Sequence, residues 1–322
     1  MVFAKPVPEE EPIAPVDTHA ETRMARTSIP AADALIGVHH PVLSHGFVAL
    51  VDYMGDDKAI VQAARVSYGQ GTKSTRSDRA LIRYLMRHHH TTPFEMVEFK
   101  FLVRLPIYVA RQWVRHRTVS LNEISYRYSI APDEYEVPRP ESIRAQSQKN
   151  RQGRSTEPMD PKVVEQYRQQ VEAICDDAYA KYEGFLGLGV ARELARIVLP
   201  VGFYTEWYWK INLHNLFHFL KLRLDDHAQE EIREYSQVIA RIARTVAPVA
   251  FEAFEDFDLG AQSFSRSEQE ALAHILSGLE VQKACLKAGL PLAREDGKPM
   301  TTGEGVEFLD KLTRLRALGQ PR

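Results

Sequence analysis

Apolar and polar positions change period several times along this chain, and each change marks an element. In MVEFKFLVRLP, Val97, Phe99, Phe101, Val103 and Leu105 alternate with Glu98, Lys100 and Arg104. That is the two-residue period of a strand with one buried face. FVALVDY (47–53) and FYTEWYWKIN (203–212) predict two more strands. Helical spacing takes over elsewhere. Asp56 or Asp57 caps a helix carrying Ile60, Ala63, Ala64 and Ser67, and Ser77 caps a second with Leu81, Tyr84, Leu85 and His88 on one stripe. Pro106 stands at the first turn of a helix that sets Arg111 and Arg115 four apart with Gln112 beside them. Asp160 and Pro161 open a long helix through Val164, Val171, Ala178 and Tyr182, ended by Gly187 or Gly189. ARELARIVL is short and stops at Pro200; Asn212 caps HNLFHFLKLR; Asp226 caps a helix from Ala228 towards Val246, before Pro248.

Between these elements the pattern lapses. Residues 1–40 are rich in Pro, Ala and charge without a sustained period, which predicts a flexible arm. Residues 141–157 are almost wholly polar and predict a surface loop. Beyond about 260 the pattern is amphipathic and helical. The expected organisation is an arm over 1–40, one main domain over 41–260 and a helical extension over 261–322. The expected class is α+β: long helices packed around a small, mostly antiparallel sheet.

Composition narrows the function. Of 322 residues, 44% are hydrophobic and 26% charged, enough apolar surface to order a globular chain. The 41 basic and 43 acidic residues leave a net charge of −2, so no global field draws the chain to nucleic acid or to an anionic membrane. Cys175 and Cys285 stand far apart and outside any CxxC spacing, which argues against a disulfide framework and fits a reducing cytoplasm. The first residues lack the apolar core of a signal peptide, and no apolar run is long enough to span a bilayer.

The densest polar segment is RHRTVSLNEISYRY (115–128). Arginine forks grip phosphates in two-pronged fashion, and Ser, Asn and Glu orient a sugar or a base edge. The segment fits RHRxxSxNExSxRY at every fixed position, and in this it resembles the flavin-dependent thymidylate synthases. The resemblance extends through AARVSY, HTTPFE, ARIVLP, NLHNLFHFLKLR and DDHAQEEI, about residues 43–257. It implies an FAD enzyme that converts dUMP to dTMP with methylenetetrahydrofolate and NADPH as co-substrates, in a homotetramer with shared active sites. By the same resemblance Ser67, Thr92, Glu95, Arg115, His116, Arg117, Asn212, His214 and His218 hold FAD. Gln112, Glu123, Ser125, Arg127, Arg196 and Arg223 hold dUMP. His90 stands where folate or nicotinamide approaches the flavin, and Arg223, His90 and Ser125 form the catalytic set. At 214 and 218 the chain departs from relatives that carry Arg and Asn. Ligand residues thus fall into two stretches along the sequence, Ser67 to Arg127 and Arg196 to Arg223, expected to meet across subunits.

Other readings of the same residues remain open on spacing alone. The 117–127 strip could bind RNA, and His88 to His90, or His214 with His218, could serve a metal; but HExxH and a third spaced ligand are missing, so no metal is assigned. Ser125 lacks the GxSxG context of a nucleophile and reads as a phosphate donor. Gly187 and Gly189 follow a helix, with Arg192 in the third glycine's place, so they read as a helix stop and not as a dinucleotide fingerprint. Trp113, Trp207 and Trp209 read as core. Neither cysteine lies near the signature, so hydride delivery from reduced flavin replaces thiolate attack on the ring in the implied chemistry.

Overall fold

A computed structural model describes residues 26–66, 78–148, 153–276, 279–293, 298–301 and 304–318. The alternating run at 98–106 is the centre of the sheet. Its strands are β1 (His40–Val42), β2 (Gly46–Met54), β3 (Glu98–Pro106), β4 (Ser120–Glu123) and, after a separate hairpin of β5 (Arg144–Gln146) with β6 (Arg154–Pro158), β7 (Tyr204–Asn212). The sheet order is β1-β2-β3-β7-β4, antiparallel throughout. Phe99, Phe101, Val103 and Leu105 of β3 are buried as their period requires.

Helices cover the sheet's apolar face. Those used below are α1 (Pro30–Asp33), α2 (Asp57–Arg65), α3 (Asp78–Arg87), α4 (Ile107–Trp113), α5 (Pro161–Gly187), α6 (Arg192–Ala195), α7 (Leu213–Arg223), α8 (Glu230–Val246) and α9 (Pro248–Phe254). Trp113, wholly buried, stacks on Phe219 of α7 at 4.9 Å and meets Trp207 and Trp209 of β7 edge-on. All three tryptophans are therefore core. Tyr235 of α8 donates to the Arg104 carbonyl at 2.8 Å. A side chain at Gly46 would place its Cβ 1.9 Å from that hydroxyl, so only glycine fits there.

Several expectations need correction. Pro106 is the last residue of β3 and caps α4 from outside, and α4 ends at Trp113, so Arg115 lies beyond the helix and not on its face. The polar 141–157 segment is not all loop: β5 and β6 pair across it, and Arg154 of β6 reaches Glu230 at 3.2 Å and Glu231 at 2.5 Å on α8. Asp226 caps nothing; α8 begins at Glu230, and Asp225 receives the His227 amide instead. Within the expected arm, residues 26–40 are packed onto the domain: Ala32 is buried in the core and the Ile29 amide donates to the Tyr53 hydroxyl. Ser67 and Ser77 lie outside the described residues. The caps expected at Asp56, Asp160 and Asn212 are present.

The C-terminal helices α10 (Arg266–Leu276), α11 (Val281–Lys287) and α12 (Glu304–Leu318) gather a second core of Ala271, Cys285, Leu290 and Phe308. Among the described residues no helix is long and apolar enough to cross a membrane.

Candidate active site

Beyond α4 the chain turns so that His116 points inward while Arg115 and Arg117 point to solvent. His116 is 8% exposed, lies 5.0 Å from the Phe219 ring and 5.8 Å from that of His218, and accepts a 3.0 Å hydrogen bond from Arg223 Nε at its Nε2. An accepting Nε2 requires a neutral ring with its proton on Nδ1. Burial first, then the Arg223 charge, lower the His116 pKa to about 4, which keeps that tautomer at neutral pH. Burial also lowers the Arg223 pKa. Arg115, Arg117 and Arg196 make no ion pair or side-chain hydrogen bond with the described residues, so three guanidiniums are available to an anion.

Next to His116 opens a cleft with about 580 Å³ of empty space, lined by His89, His90, Phe94, His214, Phe217, His218, Lys221 and Asp258 among others. Its rim is shaped by the end of α3. His89 takes a left-handed φ of 57°, and the His90 and His89 amides donate back to Leu85 and Met86. This double closure is a Schellman ending, and it swings His90 over the cleft. Thr92 and Glu95 follow in the 3-10 turn Thr92–Met96 that leads into β3. Across from them Asn212 caps α7 through its side-chain oxygen, placing His214 and His218 one turn apart on the cleft side. Asn212 thus spends its acceptor on the helix, leaving its amide nitrogen for a ligand.

A second group forms elsewhere in the same chain. β4 brings Glu123 to Thr205, whose hydroxyl donates to it at 2.6 Å. Ser125 opens a turn that accepts the Tyr128 and Ser129 amides, and Tyr126 inside it packs with Tyr182 and Ala195 while donating to the Tyr204 carbonyl. That packing sets α6 against the turn. Arg127 pairs with Glu193 at 3.2 Å, and Arg196 follows α6 directly. Within one chain Arg127 thus pairs with Glu193 of α6, the helix that Arg196 follows, and His116 contacts His218 and Arg223, so residues of the two sequence stretches also meet inside a single subunit. Gln112 Oε1 is buried with no partner among the described residues, an orphan acceptor that a ligand donor would satisfy.

This donor set fits a flavin nucleotide. Unpaired guanidiniums match phosphates, the Phe94 and Phe217 walls match a planar ring, and the imidazoles supply hydrogen bonds to ring heteroatoms. Among the described residues no three His, Cys, Asp or Glu side chains are placed to share a metal. Three residues at these sites escaped the sequence reading: Glu193, Lys221 and Asp258. Lys221 was findable, since it extends the His214–His218 spacing by one more turn; the other two depend on tertiary contacts.

Comparison with known proteins gives the family. Residues 49–249 match the Thy1 family, described as thymidylate synthase complementing protein. A flavin-dependent thymidylate synthase of Wolbachia pipientis wMel is 50% identical over 261 residues, covering 80% of this chain and 90% of that protein. The enzyme of the same name from Thermus thermophilus is 54% identical over 250 residues, covering 78% and 90%. Among solved structures, a UMP/dUMP methylase PolB from Streptomyces cacaoi bound with 5-Br dUMP superposes with a TM-score of 0.60 at 34% identity, over 68% of this chain and 99% of that one. The signature loop, the histidine cleft and these likenesses together make the chain a member of the flavin-dependent thymidylate synthase family.

Proposed function

We propose that the chain methylates dUMP to dTMP, with methylenetetrahydrofolate giving the carbon and NADPH, through FAD, the electrons. The observation that carries this is the Arg223–His116 hydrogen bond, which joins the signature loop to the end of α7, the helix whose His214 and His218 line the cleft. Thr92, Glu95, Arg115, His116, Arg117, Asn212, His214 and His218 hold the flavin, with Ser67 assigned by resemblance. Gln112, Glu123, Ser125, Arg127, Arg196 and Arg223 hold the nucleotide.

The bound flavin supplies hydride transfer. The chain's own residues bind, orient and polarise. C5 of uracil must become nucleophilic, so negative charge builds on a ring carbonyl oxygen, where a guanidinium N–H of Arg223 stabilises it. His116 holds Arg223 Nε and so aims the remaining N–H groups. Ser125 and Arg127 hold the phosphate, which fixes C5 relative to the methylene donor. His90, at the rim, orients the co-substrate. The sum balances: one methylene carbon from the folate and two electrons from NADPH give dTMP, tetrahydrofolate and NADP+.

Two surfaces must meet for this to work, since Arg127 and Arg223 belong to different groups within one chain. A homotetramer with shared sites joins them. The exposed apolar residues Leu188, Leu194, Ile197 and Val201 flank Arg196 and suit such an interface. Residues 41–260 form the catalytic domain and 261–322 the helical extension. Two free buried thiols suit a reducing cytoplasm. The test is anaerobic: purified protein loaded with FAD should bleach on NADPH and form dTMP when dUMP and methylenetetrahydrofolate are added. A chain that takes up no flavin would sink the reading.

A further inference from the structure

Along α7, His214, His218 and Lys221 occupy successive turns of one stripe, and all three line the cleft. At 1.5 Å per residue the stripe runs roughly 10 Å, the scale of a fused planar ring with its first substituent. Among the described residues Lys221 is the only Lys or Arg in the cleft lining. Its Nζ lies 2.8 Å from Asp258 Oδ1, also in the lining, with the lysine side chain 50% exposed. Asp258 sits in a π-helical turn, Glu255–Leu259, that continues α9. Such turns recur at functional sites. This one is held from three sides: Arg244 pairs with Glu255, Arg83 with Asp256, and Lys221 with Asp258. The first two pairs join helix to turn away from the cleft lining. The third faces into it.

We propose that Lys221, oriented by Asp258, binds an anionic group, phosphate or carboxylate, on the planar-ring ligand that lies along α7. The inference rests on the flavoenzyme reading above and deepens it. An ammonium carries three donors and can keep Asp258 while meeting a ligand anion. Phe94 and Phe217 give this end of the cleft apolar walls, so a ligand anion entering it meets the Lys221 ammonium as the lysine or arginine charge among the described lining residues. Asp258 does two things there. It restrains a long flexible side chain over the cleft, and it occupies the ammonium when no ligand is present.

The experiment uses the full chain loaded with FAD. Lys221→Gln should weaken the ligand bearing the anion on the order of tenfold, the worth of one partly exposed charge-assisted contact, and Lys221→Arg should restore most of it. Three comparisons identify the source: the dissociation constant of FAD against riboflavin, KM for NADPH against NADH, and KM for monoglutamyl against polyglutamyl methylenetetrahydrofolate. The variant should erase the preference within one pair and leave the other two pairs unchanged. Asp258→Asn should alter that same constant in the wild-type background and leave it unchanged when Lys221 is already Gln, as a positioning residue acting through Lys221 must. If the three preferences survive Lys221→Gln in a yellow, active enzyme, the assignment is overturned. A wild-type chain that binds no flavin overturns the flavoenzyme reading and the assignment with it, and is recognised before any variant is made.

Discussion

Arg223 Nε lies 3.0 Å from His116 Nε2, so a residue of the signature loop and one at the end of α7, 107 positions later, share a single proton. The arrangement tolerates only a neutral His116. In the unfolded chain this imidazole titrates near 6.5, whereas in the folded chain burial and Arg223 lower it to about 4. Between those values the unfolded chain binds more protons, so stability rises with pH and falls as the solution is acidified from about 6.5 towards 4. Thermal midpoints measured across that window should drop in the wild type, and His116→Asn should flatten the slope. Equal slopes in the two proteins would show that His116 does not titrate as described.

Arg127 is engaged before any nucleotide arrives, since Glu193 holds it at 3.2 Å. A phosphate must therefore share or displace that carboxylate. Arg127→Ala should weaken dUMP binding by about 1.5 to 3 kcal/mol, the range for a hydrogen bond to a charged group. Glu193→Gln should move the other way and tighten dUMP a few-fold, with deoxyuridine, which lacks the phosphate, unaffected. Calorimetric titration of both ligands checks this, and unchanged dUMP affinity in both variants would remove Arg127 from the phosphate site.

What the sequence disclosed follows the range of the interactions concerned. Asp56, Asp160 and Asn212 were readable as caps because each bonds amides two or three residues ahead. The β3 and β7 alternation was readable because one face is buried along its length. The β5–β6 hairpin was not, since its residues are polar and it is anchored through Arg154 to carboxylates 76 and 77 positions away. The signature marked the site's residues without their grouping. Only the packing of Tyr126 against Tyr182 and Ala195, with the Arg127–Glu193 pair, reveals that Arg127 sides with α6.

Cys175 and Cys285 are both buried, one on α5 and one in the C-terminal core, and burial raises both thiol pKa values. Neither is poised as a thiolate nucleophile. The double variant Cys175→Ala, Cys285→Ala should keep dTMP formation within about threefold of wild type, small cavities being its main cost. Abolished turnover in a folded, flavin-loaded variant would give a cysteine a chemical role.

Gly46 offers a sharper test of packing than of chemistry. An added Cβ would meet the Tyr235 hydroxyl at 1.9 Å and the Val42 and Arg104 carbonyl oxygens at 2.6 and 2.8 Å. Two of those are backbone atoms in the sheet, which cannot swing aside. Gly46→Ala should therefore destabilise by about 3 kcal/mol or more, beyond the usual cost of overpacking, read as a fall in the denaturation midpoint. Gly184→Ala, inside α5 with open space around its Cβ, should instead gain up to about 1 kcal/mol.

Arg127 pairs with Glu193 of α6 and Arg223 with His116, and these two groups make subunit sharing testable by mixing. A chain with Arg127→Ala keeps an intact Arg223 group, and a chain with Arg223→Ala keeps an intact Arg127 group. Each homo-oligomer should be nearly inactive, because every site in it carries a lesion whichever way the sites are built. If a site takes its Arg127 group from one subunit and its Arg223 group from another, refolding the two chains together creates some sites with both arginines, and dTMP formation returns in part. If each site is built within one chain, every site in the mixture keeps one lesion and activity stays at the homo-oligomer level. Mixing must be verified independently, for instance by mass tags on the two chains and native mass spectrometry. Arg127→Ala with Arg196→Ala serves as the control: these residues belong to the same group, so mixing should recover nothing beyond the homo-oligomers, since each group would still carry one of the two lesions. Recovery in the first pair alone supports shared sites; recovery in neither, with mixed oligomers present, contradicts them.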